Sequence, residues 1–340
     1  MNALYHVSSE ENKNIHPYQS LTPERVLDAV DSAGFRSDGR LLALNSYENR
    51  VYQVGIEDGA PVVVKFYRPG RWSDAAVLEE HAFALELAEA EVPVVAPLPG
   101  ADGATLQHFE TFRFAVFPRR GGHWPELDDP EVQLRLGRFL GRLHAVGAVR
   151  PFRHRPALDP ITFGRQPRDY LLGSGAVPAQ YREAYAVITQ ELLDGVAAGY
   201  AEAGPVRTLR LHGDFHPGNI LWTESGAHLV DLDDARSGPA VQDLWMLLSG
   251  ERAQMALQLS DLLEGYEEFN DFDRRELRLI EPLRALRLVH YTAWLAERWS
   301  DPAFPRAFPW FNTPKYWEEY LGTLREQLER LAEPPLGAAW

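Results

Sequence analysis

The sequence predicts an α+β chain of two lobes, a small antiparallel β-sheet lobe with one helix pair followed by a larger, mainly helical lobe. Three observations lead there. At 340 residues the chain exceeds a single core of about 150 residues and suits two. Short runs rich in β-branched residues dominate before residue 118, whereas apolar residues recur at helical spacing after it. Between them stands Pro118-Arg119-Arg120-Gly121-Gly122, where Pro ends a strand and the glycines give a flexible connection. The lobes are therefore placed at residues 1–118 and 119–340.

Taken in order, a polar leader of about twenty residues precedes Thr22-Pro23-Glu24, which with Val26, Leu27 and Val30 reads as a capped helix with Pro at its first position. Strand-like runs follow at 41–44, 51–56 and 62–67, with Asp58-Gly59 supplying a turn. Ser73 or Asp74 caps a helix to about Glu91, with Val77, His81, Ala84, Leu85 and Ala88 on one face. Strands are expected again at 104–107 and 112–117. In the second lobe, Val132, Leu136, Phe139, Leu140 and Leu143 form the stripe of a buried helix over 130–149. Further helical patterns cover 178–202, 240–269 and 273–299, and only 208–211, 220–222 and 228–230 read as strands. The aromatic run 304–317 reads as a segment docked on the second lobe.

Composition narrows the function classes. Lys and Arg number 34 against 49 Asp and Glu, a formal charge of −15 that disfavours nucleic acid and anionic membrane surfaces as partners. With no cysteine, thiol catalysis, Cys-based zinc sites and disulfides are excluded. The first seventeen residues lack the apolar core of a signal peptide and no run is apolar enough for a membrane span, so a cytoplasmic protein is expected. A monomer is the expected assembly, with no motif that argues for it.

The chemistry concentrates in Leu211-His212-Gly213-Asp214-Phe215-His216-Pro217-Gly218-Asn219-Ile220-Leu221-Trp222 and the following Val230-Asp231-Leu232-Asp233-Asp234. The pattern is H-G-D, four residues, N, then a β-like run ending in Asp, the same spacing as the catalytic loop and metal-binding Asp of kinases. Phosphoryl transfer asks a protein mainly to position groups and neutralise charge. Asp214 suits the catalytic role of orienting the acceptor hydroxyl and taking its proton. Asn219 and Asp231 offer hard oxygen ligands for Mg²⁺, and Asp231 thereby joins Asp214 in catalysis.

In the first lobe, Lys65 sits in Val62-Val63-Val64-Lys65-Phe66, a buried-looking strand where an unpaired ammonium is costly. Glu79 or Glu80 on the next helix is its expected anionic partner, with Glu80 favoured, so that the ammonium faces the phosphates of ATP. No G-x-G-x-x-G occurs. In its place lies the glycine-free turn 44–51, whose backbone N–H groups and Ser46 hydroxyl are the candidate phosphate contacts. Phe114-Ala115-Val116-Phe117-Pro118 meets the inter-lobe connection, so the backbone around Phe117 is the candidate adenine contact.

The alternatives weigh less. His212 and His216 with nearby aspartates resemble one half of a two-metal phosphoesterase site, but the further G-N-H such a site wants is replaced by Gly218-Asn219-Ile220. His144 reads as a satisfied helix histidine. Asp233 and Asp234 either bind a second metal or cap the loop.

At these residues the chain resembles the aminoglycoside and choline phosphotransferase branch of the kinase-like fold. Asn45-Ser46-Tyr47-Glu48-Asn49-Arg50-Val51-Tyr52, Val64-Lys65-Phe66-Tyr67-Arg68-Pro69, Val230-Asp231-Leu232-Asp233-Asp234-Ala235-Arg236 and Asp301-Pro302-Ala303-Phe304-Pro305 are similar, more narrowly, to the RdoA-type stress response kinases. That resemblance implies a Ser/Thr protein kinase that phosphorylates itself and protein substrates under stress, with Asp214 as proton acceptor, Asn219 and Asp231 on magnesium and Ser46 at ATP. It also implies that Asp243 braces the catalytic loop from a neighbouring helix. Only eleven residues separate Asp231 from Asp243 and no A-P-E follows, which favours a kinase of small hydroxyl metabolites instead. The resemblance is followed, so a Ser/Thr protein kinase is the expectation and a kinase of small hydroxyl metabolites the alternative.

Overall fold

The computed structural model describes residues 18–224 and 226–337; the polar leader lies outside them, apart from its last residues. The chain forms two compact units. The first comprises the described part of Met1–Trp72 with Leu98–Arg119 and Asp301–Ala303; the second comprises Ser73–Pro97, Arg120–Ser300 and the described part of Phe304–Trp340. A single division at 118/119 therefore misses two excursions. The helix after Ser73 groups with the second unit, so the expected helix pair is split between them, and three residues near 301 return to the first.

In the first unit α1 (Pro23–Ser32) starts at the Thr22 cap with Pro23 in its first turn. Its apolar face, Val26, Ala29 and Val30, packs on a five-stranded antiparallel sheet ordered β1-β2-β3-β5-β4. The strands are β1 (Ser37–Ala43), β2 (Arg50–Ile56), β3 (Val62–Phe66), β4 (Gln107–Phe109) and β5 (Phe112–Pro118). Asp58, with φ 54°, makes the turn between β2 and β3. The strand expected at 104–107 begins three residues later, because 100–104 close a turn in which Gly100 N–H donates to the Ala104 carbonyl at 2.8 Å.

Strand β3 is central, and its residues alternate between faces. Val62, Val64 and Phe66 enter the core with α1. Lys65 points to the other face together with its cross-strand partners Val51 and Ala115, and Phe117 shares that face through its pairing with Val63. The register thus gathers two of the nucleotide candidates on one side of the sheet.

The second unit opens with α2 (Asp74–Glu89), capped by the Ser73 hydroxyl, which accepts from Ala76 N–H at 3.2 Å. It buries Val77, Phe83, Ala84 and Leu87, whereas Leu85, expected inward, is 43% exposed. Helix α3 (Pro130–Gly147) follows the predicted stripe. The turn of π-helix Ile161–Arg165 leads into α4 (Gln166–Ser174), and α5 (Ala179–Ala203) comes next. Short strands β6 (Leu209–Leu211) and β9 (Arg236–Gly238) pair, as do β7 (Ile220–Thr223) and β8 (Gly226–Leu229). Strand β9 has only three residues and no alternation that a sequence pattern registers.

The helix expected over 240–269 is two helices, α6 (Val241–Trp245) and α7 (Arg252–Glu267), broken where Gly250 adopts φ 83°. That over 273–299 is a 3₁₀ turn, Arg274–Leu279, continued by α8 (Ile280–Glu297). The aromatic run forms α9 (Ala303–Ala307), an irregular stretch, and the start of α10 (Pro314–Leu331), with Phe304 and Phe311 clustered on Leu295. Helices α3 and α7 approach so closely that a Cβ on Gly137 or Gly265 would overlap the opposing backbone. This contact brings Tyr266 onto His144, whose rings meet edge to face at 5.5 Å.

Candidate active site

The loop after β6 is tied down by one buried carboxylate. Asp243 of α6 accepts the N–H groups of His212 at 2.8 Å and Gly213 at 2.9 Å, one on each oxygen. His144 of α3 donates to the same side chain through Nε2 at 3.1 Å, its Nδ1 accepts from Tyr266, and Tyr266 in turn accepts from Asn270. All members of this chain are oriented by their neighbours, as a buried polar network requires. His144 is therefore a satisfied helix histidine, as expected, and it orients the brace rather than the reacting atoms.

His212 is buried and donates from Nε2 to the Val230 carbonyl at 2.9 Å, while its Nδ1 accepts the Asp214 N–H at 3.4 Å. It thereby fixes the loop to the residue preceding Asp231. Gly213 has φ +84°, and a Cβ there would overlap the Asp234 carbonyl oxygen, so only glycine fits between the H and the D.

The Asp214 side chain is 24% exposed at the mouth of this loop. Burial disfavours its charge, but the hydrogen bond with His216 and the positive charge of Arg287 outweigh that and bring its pKa down to about 2. Arg287 of α8 places Nη1 2.8 Å from Oδ1 as an ion pair that lacks hydrogen-bond alignment, and His216 Nε2 lies 3.4 Å from Oδ2. Asp214 is thus a carboxylate at all neutral pH values, suited to orienting a hydroxyl.

Pro217–Asn219 form a single 3₁₀ turn that folds Asn219 back on the loop. Its Nδ2 donates to the Asp214 carbonyl at 2.9 Å, which fixes the amide and presents Oδ1 on the other side. The Asn219 carbonyl accepts from Val230 N–H at 3.0 Å, and Asp231 follows with an exposed side chain and the left-handed backbone φ 62°, ψ 66°. Such a conformation in a non-glycine residue costs about 1–3 kcal/mol and is characteristic of functional sites. An oriented amide oxygen and an exposed carboxylate fit Mg²⁺, which takes few protein ligands and keeps waters or phosphate oxygens. Among the described residues no group of three or more His, Asp or Glu forms a metal site.

Arg155 links this region to α2. It donates to the carbonyls of Ala235 and Asp233, and its Nη1 lies 3.4 Å from Glu80 Oε2. Both side chains are buried. Glu79 faces elsewhere: its oxygens accept the N–H groups of Arg153, His154 and Arg155 at 2.7, 2.7 and 3.1 Å. Asp234 accepts from Arg236 at 2.6 Å, so one of the two extra aspartates holds the loop.

In the first unit Lys65 is buried on the central strand, with its ammonium 5.3 Å from the Tyr67 ring centroid. Ser46 is half-buried and donates its hydroxyl to the Asn49 carbonyl at 2.9 Å, so it shapes its own turn. Phe117 is half-buried on β5. Arg155 and Arg287 escape the sequence reading because an arginine far along the chain from the motif carries no local mark of its partner. His144 and Asp243 were visible only as a helix position and through resemblance.

Comparisons with known proteins give the family. The phosphotransferase enzyme family (APH) matches residues 40–280. Stress response kinase A of Escherichia coli (strain K12) is 48% identical over 325 residues, 96% of this chain and 98% of that protein, and serine/threonine protein kinase RdoA of Salmonella typhimurium matches equally. Among solved structures, an amicoumacin kinase in complex with AMP-PNP, Ca²⁺ and Ami has TM-score 0.72 at 18% identity, covering 93% of this chain and 95% of its own. A microcompartment-associated aminopropanol kinase has TM-score 0.68 at 17% identity over 90% and 96%. These two show the kinase-like fold. A braced H-G-D loop, an oriented asparagine and a match spanning nearly the whole chain agree, and the chain belongs to the phosphotransferase enzyme family as a kinase of the stress response kinase A type.

Proposed function

We propose that this kinase transfers the γ-phosphoryl group of ATP to a Ser or Thr hydroxyl of a protein, itself included, in a bacterial stress response. The observation that carries the mechanism is the Asp214 carboxylate, held ionised by His216 and Arg287 five residues before an asparagine whose amide is locked on its backbone. The acceptor O–H donates to Asp214, which aligns its oxygen with the phosphorus. As the new P–O bond forms, the bond from phosphorus to the β–γ bridging oxygen breaks, ADP departs, and the proton passes to the Asp214 carboxylate. With a pKa near 2 this base takes the proton late, when the forming ester has made it acidic. Asn219 and Asp231 are assigned to Mg²⁺, which when bound supplies charge neutralisation on the phosphates. Lys65, Ser46 and the Phe117 backbone are assigned to the nucleotide. Glu80 keeps its nucleotide-side assignment over Glu79, whose oxygens are committed to three N–H groups.

A second reading, transfer to a small hydroxyl metabolite, is favoured by one feature. Residues 232–242 are used up by a 3₁₀ turn, β9 and the first residues of α6, which leaves no long segment for docking a peptide. The 48% identity to serine/threonine protein kinase RdoA favours the protein acceptor. Purified protein with labelled Mg-ATP and a panel of itself, a basic protein, choline, homoserine and an aminoglycoside decides. Label on Ser or Thr, lost in Asp214→Ala, is expected; label on a small molecule alone would replace the protein reading.

A further inference from the structure

The stretch Asp301-Pro302-Ala303 belongs to the first unit although its chain neighbours on both sides belong to the second, and the function proposed above gives it no role. Asp301 is 3% exposed. Its carboxylate receives Arg68 Nη2 at 2.7 Å, Arg50 Nη2 at 3.2 and 3.3 Å, and the N–H of Ala303 at 3.0 Å. Both guanidinium groups then reach the carbonyls of the glycine-free turn. Arg68 donates to Glu48 O at 2.9 Å and Tyr47 O at 3.2 Å; Arg50 donates to Tyr47 O at 3.0 Å and Asn49 O at 3.3 Å. Arg68 also pairs with the Glu48 carboxylate at 2.9 Å, its own N–H donates to Asn49 Oδ1 at 3.1 Å, and the Tyr18 hydroxyl donates to Glu48 O at 3.3 Å.

A glycine-rich phosphate loop acquires its shape from backbone dihedrals open to glycine. Here three successive carbonyls are drawn onto two arginines instead. Because each peptide unit is planar and trans, turning the Tyr47 and Glu48 carbonyls toward the arginines aims the N–H groups of Glu48 and Asn49 the opposite way. Successive N–H groups on one side of a turn make an anion-binding concavity. Removing Asp301 leaves two enclosed cations short of their shared carboxylate and frees the arginines to reorient.

We propose that Asp301 is a positioning residue for the nucleotide phosphates: by fixing Arg50 and Arg68 it holds the 45–49 turn in the shape that presents its N–H groups to them. The inference rests on the reading of that turn as the phosphate contact. In the full-length protein, Asp301→Asn should raise the dissociation constant of Mg-ATP and its KM roughly ten-fold through misplacement of the turn. The acceptor KM should not move, and Arg68→Lys should reproduce the effect. The Asp301→Asn, Arg68→Lys double variant should be no worse than the worse single, since both break one linkage. A variant that melts earlier and loses kcat in proportion to active protein, with nucleotide affinity unchanged, would assign Asp301 to stability alone and overturn the proposal. Asp301→Asn is close in shape to the native residue; should it fail to fold, Arg68→Lys carries the same measurement. Wild-type protein that binds no Mg-ATP would bring down the reading of the turn as well, whereas wild-type binding matched by both variants would remove only the role of Asp301.

Discussion

Gly213 is the residue where sequence and geometry constrain each other most tightly. Its φ of +84° and the Asp234 carbonyl oxygen facing it leave no room for a Cβ, so Gly213→Ala must move either the H-G-D loop or the turn after Asp231. A strained backbone of this kind costs about 1–3 kcal/mol, and a shift of the reacting groups adds a loss of rate on the order of a hundred-fold. Urea denaturation together with kcat on the same preparation tests both parts; a variant with native stability and turnover would mean the two turns are not locked together. The motif residues around Gly213 were legible because their spacing is covalent: Asp214, Asn219 and Asp231 lie within one short stretch, and β7 and β8 return the chain to it. Arg287 was not legible. It approaches Asp214 from a helix 73 positions later, and before folding it is indistinguishable from a solvated helix arginine.

At the scale of elements, α6 is five residues long, too short to be stable by itself, yet it carries the Asp243 brace. Its first turn is held from outside, where Glu276 Oε2 accepts the Val241 N–H at 2.9 Å. Burial is the main cause that pushes the Glu276 carboxyl up to about 7, against hydrogen bonds from Val241 and Ala240 that lower it. A carboxyl with a raised folded pKa binds its proton more tightly in the native state. Its stabilising contribution is full below the unfolded pKa of about 4.5 and is lost as pH rises through about 7. Relative to Glu276→Gln, the native protein should therefore lose up to about 3 kcal/mol between pH 4.5 and pH 8. A stability difference between the two proteins that stays constant across that range would show that Glu276 does not titrate there. The break that isolates α6 was missed because apolar periodicity runs on through Met246, Leu247 and Leu248, and one glycine in a helical pattern is a weak stop signal. Strands of the first unit were legible to within a few residues, since alternation and the Asp58-Gly59 turn fix register together.

For the whole molecule, the excess of 49 acidic over 34 basic side chains bears on which acceptor the kinase recruits. Charge of this size steers association over about a Debye length, roughly 10 Å at 0.1 M salt, and is screened as salt rises. A basic protein carries many cationic groups at once, so its attraction to this surface should fall steeply with ionic strength. Choline, with one charge, should respond weakly, and a neutral hydroxyl metabolite should not respond. The prediction is that KM for a basic protein acceptor rises several-fold between about 50 and 300 mM NaCl while kcat stays level, because salt weakens long-range recruitment whereas kcat refers to the acceptor already bound. Initial rates over a salt series with a basic and an acidic acceptor measure it. A KM for the basic acceptor that is flat with salt, or equal rises for both acceptors, would separate recruitment from net charge and leave shape at the Asp214 loop as the source of acceptor choice.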